Sequence, residues 1–379
     1  MIDEAVKLLA EAPGERIVIS DDWRRELAVY PSDKTVVFSG THCAPMLEEC
    51  GFEVWTGVEA EPCVETVLRM REYLQEKKPV YVIAAGGGSV LDAAKAAYLS
   101  FQSGMELGEL FGMNQFSTKF PEKHLCRLVT LPGTSGTGSE ATPYSNIVDK
   151  KLSVKKLIVE KESVPDLALL APELTCSMPE ALTRATGCDA LAHLLEGFLN
   201  VGADNNHPRA NLWALTGIKL VKNYLLRACR CPEDMEARRA MSAAAALGGM
   251  TIRFKSTGLP HLCSFSWFGR IAHGDAVAML LPEAWRYYLG NPEVEKRTME
   301  LAEVFPGRNG LEVIDSYREF ITVLGMPEKL SAWEGITPEL LEKTAACGSE
   351  NKMKLELAPL PVPLERSYEI LHSILQKSY

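Results

Sequence analysis

The chain carries only seven histidines among its 379 residues, so their spacing is informative. Asp189-Ala-Leu-Ala-His193 sets a carboxylate and an imidazole four residues apart. On a helix that spacing leaves them about 40° apart on one face, able to chelate one ion. The stretch 190–195 is otherwise apolar, so a buried Asp189 needs a partner. On this segment alone, an Asp–His hydrogen bond serves as well as a metal. His261 and His273 lie in Gly258-Leu-Pro-His261 and Ala272-His-Gly-Asp275. On one continuous helix they would point about 120° apart. Gly269 can break such a helix, so His261 ends one element and His273 begins another. One carboxylate and three imidazoles would suit Fe²⁺ or Zn²⁺. Glu196 shares the Asp189 face and reads first as structural, second as a group behind the ligands. His207, between Asn206 and Pro208, reads as a solvated loop residue.

Two glycine-rich turns supply a second kind of chemistry. Gly86-Gly87-Gly88-Ser89-Val-Leu-Asp92 follows an apolar strand and opens a helix. Glycines let the backbone approach a ligand, and the first turn of a helix offers N–H groups to an anion. Ser89 and Asp92 fit an N-cap and its partner three residues on. A plain strand-to-helix turn would need fewer glycines, so a pyrophosphate site is the better reading. Pro132-Gly-Thr134-Ser-Gly-Thr137-Gly-Ser139-Glu140 follows the next strand, with hydroxyls suited to ribose or amide groups. Two such loops on consecutive strand ends favour one shared nucleotide crevice.

The elements that must position these groups change character along the chain. Strands are expected at 35–39, 79–85 and 126–131, with helices at 63–75 and 90–100 between them. That alternation predicts a parallel sheet with crossover helices. From Ser177 the pattern is helical only: 180–200, 208–229, 234–252, 274–289, 293–305, 311–324, 338–347 and 365–377. Ser177-Met-Pro-Glu180 has the form of a capping box. The expected domains are therefore an α/β dinucleotide-binding domain at 1–176 and an all-helical, metal-binding domain at 177–379. Net charge is −10, without the basic excess of a nucleic-acid binder. No apolar run reaches the ~18 residues that a membrane span needs. The N-terminus lacks the basic and apolar regions of a signal peptide. Ten cysteines show one CxC pair, Cys229 and Cys231, and no CxxC pairs, which argues against a zinc ribbon or disulfide framework. The expectation is a cytoplasmic protein with reduced thiols.

Together, four segments resemble the iron-containing alcohol dehydrogenase family. They are Gly86-Gly-Gly-Ser-Val-Leu-Asp-Ala-Ala-Lys95, Gly136-Thr-Gly-Ser-Glu140, Gly187-Cys-Asp-Ala-Leu-Ala-His193, and Ala272-His-Gly274 with Leu280-Leu-Pro282. The resemblance implies a Rossmann-like parallel-sheet domain and a helical domain, with the site in the cleft. It implies Asp189, His193, His261 and His273 as metal ligands, and Gly87, Gly88 and Ser89 at the pyrophosphate. It also implies Thr134, Thr137 and Lys155 as further cofactor contacts, Lys155 near the ribose. The chain departs from the family in two residue types: Phe265 stands where a second histidine usually follows the third ligand, and Ala171 replaces the aspartate of an Asp-Pro-x-Leu-Thr turn.

The expected activity is metal-dependent hydride transfer between NAD(P) and a small alcohol or aldehyde, by a homodimer. Fe²⁺ is the expected metal, Zn²⁺ the alternative. Other readings on the same fold are a glycerol-dehydrogenase-like polyol dehydrogenase and a dehydroquinate-synthase-like lyase. The lyase needs a strongly basic phosphate pocket, which the sequence does not show. An acidic residue at a ribose-facing strand end would select NAD. Here Ser39 is followed by Gly40 and Thr41, predicting that NADP(H) is accepted, up to a preference, with Ser39 or Thr41 donating to its 2′-phosphate. The cofactor residues expected are thus Ser39, Gly40, Thr41, Gly86, Gly87, Gly88, Ser89, Asp92, Thr134, Thr137, Ser139 and Lys155. Phe265 is expected to line the substrate pocket, with no histidine to relay the proton.

Overall fold

The computed structural model describes residues 1–121, 126–152 and 154–379; His124 lies outside them. Nine strands are present among the described residues: β1 Arg16–Ile19, β2 Thr35–Ser39, β3 Val54–Trp55, β4 Tyr81–Gly86, β5 Gly112–Met113, β6 Arg127–Pro132, β7 Tyr144–Asp149, β8 Val154–Val159 and β9 Leu167–Leu170. Six form a parallel sheet ordered β1-β9-β6-β4-β2-β3, and three form a smaller sheet ordered β5-β8-β7. β2, β4 and β6 are the strands expected from sequence. β1, β3, β9 and the smaller sheet were not expected.

The large sheet is covered on both faces, which is why its central strands are apolar almost throughout. Val36, Phe38, Val82, Ala84 and Leu128 pack with Val67, Met70 and Leu74 of the helix Val64–Lys77, and with Leu91 and Ala94 of the helix Gly88–Ser103. The alternate residues Val37, Ile83, Ala85, Val129 and Leu131 pack with Trp23, Leu27, Leu47 and Leu169 on the other face. The chain leaves β2 toward β3 but leaves β4 toward β6. The carboxyl ends of β2 and β4 therefore flank a topological switch point, where sheets of this kind bind ligands.

Two compact units are present. One comprises Ile2–Met178 and Pro232–Gly249; the other comprises Met1, Pro179–Cys231 and Met250–Tyr379. The break at Met178 is two residues past the expected boundary. Residues 232–249, read from sequence as helical-domain residues, pack instead with the α/β unit. A Cβ added to Gly138 would lie 2.6 Å from Gly249 Cα, and Ser135 Oγ sits 3.3 Å from Ser242 Oγ.

The helical unit is built around the helices Glu180–Leu199, Ala210–Arg230, Leu259–Ser264 and His273–Tyr288. The expected capping box is not formed: the N-cap of Glu180–Leu199 is Pro179, with no side-chain cap. Among the described residues, no helix is long and apolar enough to cross a membrane.

Candidate metal centre and cofactor loops

Asp189 and His193 lie in the fully buried half of Glu180–Leu199. The helix His273–Tyr288 starts against this same stretch. A Cβ on Gly274 would stand 1.7 Å from Ala185 O and 3.0 Å from Asp189 N, so only glycine permits this crossing. One residue on, Asp275 accepts from Arg184 Nη2 at 2.8 Å and clamps the two helices together. The close approach delivers His273 to Asp189. His261 arrives on Leu259–Ser264, one turn after its N-cap Gly258.

The geometry is convergent. Asp189 Oδ1 lies 3.7 Å from His193 Nε2, 3.6 Å from His261 Nε2 and 3.6 Å from His273 Nε2. These separations exceed a hydrogen bond. They approach the ~3.4 Å between two ligands that each stand about 2.1 Å from one tetrahedral ion. Asp189, His261 and His273 form a group that could hold a metal ion. His193 adds a fourth donor, its ring stacked on His261 at 4.6 Å. Asp189 Oδ1 and His261 Nε2 are buried with no hydrogen-bond partner. Two orphaned polar atoms facing one another in a dry interior are costly unless a cation lies between them. The donor set therefore fits a divalent ion.

The electrostatics agree. Burial alone would push Asp189 up, but the imidazoles of His193, His273 and His261 outweigh it and hold the carboxyl well below its usual range. Burial lowers His261, yet Glu196 and Asp189 overcome it and push the imidazole up to about 9. Two buried carboxylates thus favour positive charge at this point. Glu196, read first as structural, accepts from His261 Nδ1 at 2.5 Å and from the Gly258 N–H at 2.6 Å. His273 Nδ1 is 3.3 Å from Ser264 Oγ. Phe265, half-buried, lies parallel to the His273 ring at 6.2 Å. His207 lies in a loop, half-buried, where its ring stacks on Trp213 at 4.5 Å and packs against Phe254 at 4.6 Å.

In the α/β unit the two glycine loops meet. The helix after β4 starts at Gly88, with Gly87 as N-cap. Ser89 is therefore not the cap; its hydroxyl instead accepts from the Glu61 N–H at 3.1 Å. A Cβ on Gly88 would fall 2.6 Å from Thr137 Cγ2, and one on Gly87 3.3 Å from Thr134 Cγ2. Gly40 N donates to Ala85 O at 2.9 Å, and Gly133 N donates to Gly86 O at 2.8 Å. The turns after β2, β4 and β6 are thus stitched together at the switch point. The fit to a dinucleotide rests on this bare backbone and on a sixteen-residue helix whose N-terminus opens there.

Three of the expected cofactor residues turn inward. Ser39 is wholly buried and donates to Gly40 O. Ser139 donates to Asp92 Oδ1 at 2.6 Å, and Asp92 Oδ2 accepts from Asn146 N at 2.9 Å. These groups hold the loop rather than face a ligand. Lys95, fully buried, completes the hold by donating to the carbonyls of Ser139, Thr142 and Tyr144 at 2.9, 2.8 and 2.6 Å. Gly40 and Thr41 remain accessible at the end of β2, and Thr134 and Thr137 are half-buried. Lys155, on β8, pairs with Glu61 Oε2 at 3.1 Å.

Comparison with known proteins gives family matches to both the N-terminal and the C-terminal part of the chain. The family described as iron-containing alcohol dehydrogenase matches residues 32–172, and the C-terminal domain of the Fe-containing alcohol dehydrogenase family matches residues 183–375. Alcohol dehydrogenase 4 of Saccharomyces cerevisiae is 28% identical over 364 residues, 94% of this chain and 92% of its own. Long-chain-alcohol dehydrogenase 1 of Geobacillus thermodenitrificans is 32% identical over 320 residues, covering 82% and 78%. The crystal structure of an iron-containing alcohol dehydrogenase from Thermotoga maritima is 26% identical, with a TM-score of 0.77 over 96% of this chain and 98% of that one.

Proposed function

The chain belongs to the iron-containing alcohol dehydrogenase family, and we propose that it interconverts a small, predominantly apolar alcohol and its aldehyde, accepts NADP(H), and holds Fe²⁺. It is a metal-dependent alcohol oxidoreductase of NAD(P). The metal reading is carried by one observation: three imidazole Nε2 atoms stand 3.6–3.7 Å from a single buried oxygen of Asp189. Asp189, His193, His261 and His273 would hold the ion. When bound, it supplies Lewis-acid stabilisation of alkoxide character, and the nicotinamide supplies hydride exchange.

The chain's own residues bind and orient. The first N–H groups of Gly88–Ser103 would receive the pyrophosphate, with Gly86 and Gly87 leaving room for its close approach. Thr134 and Thr137 would line the same turn, and Lys155, paired here with Glu61, would serve the ribose. No carboxylate stands at Gly40 or Thr41 to repel a 2′-phosphate, and with Ser39 turned inward the donor there is Thr41. Phe265 beside His273 gives the substrate an apolar wall. The test is anaerobic purification and elemental analysis, followed by a screen of short aliphatic aldehydes with NADPH and with NADH. Stoichiometric iron with NADPH-linked reduction is the expected result. A protein that retains no divalent ion and turns over no aldehyde with either cofactor overturns the proposal.

A further inference from the structure

Glu196 is wholly buried, and each of its oxygens is committed: one to His261 Nδ1, the other to the Gly258 N–H. The segment leading into Gly258 is held from a distant part of the chain. Lys354, on the short helix Lys352–Glu356, donates to Thr257 Oγ1 at 2.7 Å, Thr257 O at 3.1 Å and Ser256 Oγ at 3.2 Å. Burial pushes this lysine down, and the Glu196 charge is what favours its ammonium form. Tyr288 Oη accepts from the Leu259 N–H at 2.8 Å on the same segment.

We propose that Glu196, countercharged by Lys354, is the positioning residue of the metal centre: it fixes His261 as the Nδ1–H tautomer and so leaves Nε2 as the donor. This rests on the metal reading above. A ligating imidazole offers one nitrogen, and the partner of the other nitrogen decides which. The carboxylate matches two acceptor oxygens to two N–H donors. An amide has one acceptor oxygen and one NH₂. Gln at 196 would therefore oppose its NH₂ either to the Gly258 N–H or to His261 Nδ1. In the second case the proton moves to Nε2 and blocks coordination. Lys354 supplies a compensating positive charge for the buried Glu196 carboxyl group.

The experiment loads metal-depleted protein with Co²⁺, measures affinity by chelator competition and records the Co²⁺ absorption bands, which report ligand geometry. Glu196→Gln is expected to weaken Co²⁺ binding by about 10–100-fold and to change the bands. Lys354→Met is expected to weaken it too, with Lys354→Arg restoring affinity and with no added loss when Lys354→Met is placed on Glu196→Gln. If Glu196→Gln does not fold in the metal-free state, judged by its melt, the Lys354→Met and Lys354→Arg pair decides. Wild-type affinity and bands in Glu196→Gln, or wild-type affinity in Lys354→Met, overturn the proposal. Failure of the metal reading is a separate result: wild type binds no Co²⁺, or Asp189→Asn binds it as wild type does.

Discussion

Gly274→Ala tests whether the crossing of two helices builds the metal centre. The new Cβ would sit 1.7 Å from Ala185 O and 2.7 Å from Ala185 C, both backbone atoms that no rotamer change can move aside. A carbon and a carbonyl oxygen need about 3.3 Å, so the helices must part by roughly 1.5 Å. The Arg184–Asp275 pair at 2.8 Å resists that movement. Overpacking of this kind costs about 1–3 kcal/mol. The consequence for the site is larger. Ligand distances tolerate only about 0.2 Å, and the shift carries His273 off Asp189 by several times that. Metal affinity should fall at least ~100-fold, beyond what changes behind the ligands cost. Gly187→Ala is the control, on the same helix as Asp189. Its Cβ would meet Leu225 Cδ1 at 2.2 Å, the end of a side chain that can rotate. It should lower Tm and leave metal affinity near wild type. Chelator competition and thermal melts on both variants read the two effects apart. Wild-type metal affinity in Gly274→Ala, or equal losses in the two variants, would refute the reasoning.

Four further outcomes are expected. His193→Ala and His273→Ala should each lose the metal on gel filtration and lower kcat/KM by at least ~10³, several kcal/mol of Lewis-acid stabilisation at about 1.4 kcal/mol per decade; a metal-free variant with full activity would exclude the site. Wild type should turn over with NADPH, and Gly40→Asp should shift preference toward NADH, since a Cβ there meets only Val90 and Gly86 at 3.7 and 3.8 Å; negligible NADPH turnover beside good NADH turnover in wild type would defeat the cofactor reading. Phe265→Ala should weaken an apolar substrate by about 1–3 kcal/mol with metal content intact, and wild-type kcat/KM should show no relay-histidine ionisation between pH 5 and 8; normal kinetics in the variant, or such an ionisation, would remove Phe265 from the pocket. Burial pushes Glu140 up from 4.5 to about 7 against its own backbone hydrogen bond and the Lys95 charge, so its favourable contribution holds below pH 4.5 and is lost as pH rises through 7; Glu140→Gln should flatten the Tm profile across that window, and an unchanged profile would show the carboxyl is not so perturbed.

What could be read from sequence was what is local in sequence. Asp189 and His193 share one helical face by spacing alone, and the turn after β4 announces itself in three consecutive glycines. His261 and His273 were legible as candidates, but the contact that brings them to Asp189 depends on Gly274 meeting Ala185, a pairing across 89 positions of chain. Side-chain direction was less legible still. Ser39 and Ser139 stand where a cofactor hydroxyl belongs, yet both turn into the protein, toward Gly40 O and Asp92. Ser89 read as a cap because hydroxyls cap helices; Gly87 occupies that place because the helix begins two residues earlier, at Gly88. β3 has two residues and β1 and β9 four each, too short for a period to show.

Pro282 shows what a local rule misses even where the helix itself was expected. A proline inside a helix lacks the N–H that would bond the carbonyl four residues back, and ordinarily kinks or ends it. In His273–Tyr288 that carbonyl is Ala278 O, and Tyr317 Oη, from the helix Gly310–Val323, donates to it at 3.1 Å. Tyr317 is wholly buried, so its hydroxyl also needs this acceptor. The two deficits cancel, and the helix that begins with the ligand His273 runs past its proline to Tyr288, whose own hydroxyl steadies the segment carrying His261. A motif that reads as Leu-Leu-Pro in sequence is, in the fold, a joint between two ligand-bearing elements.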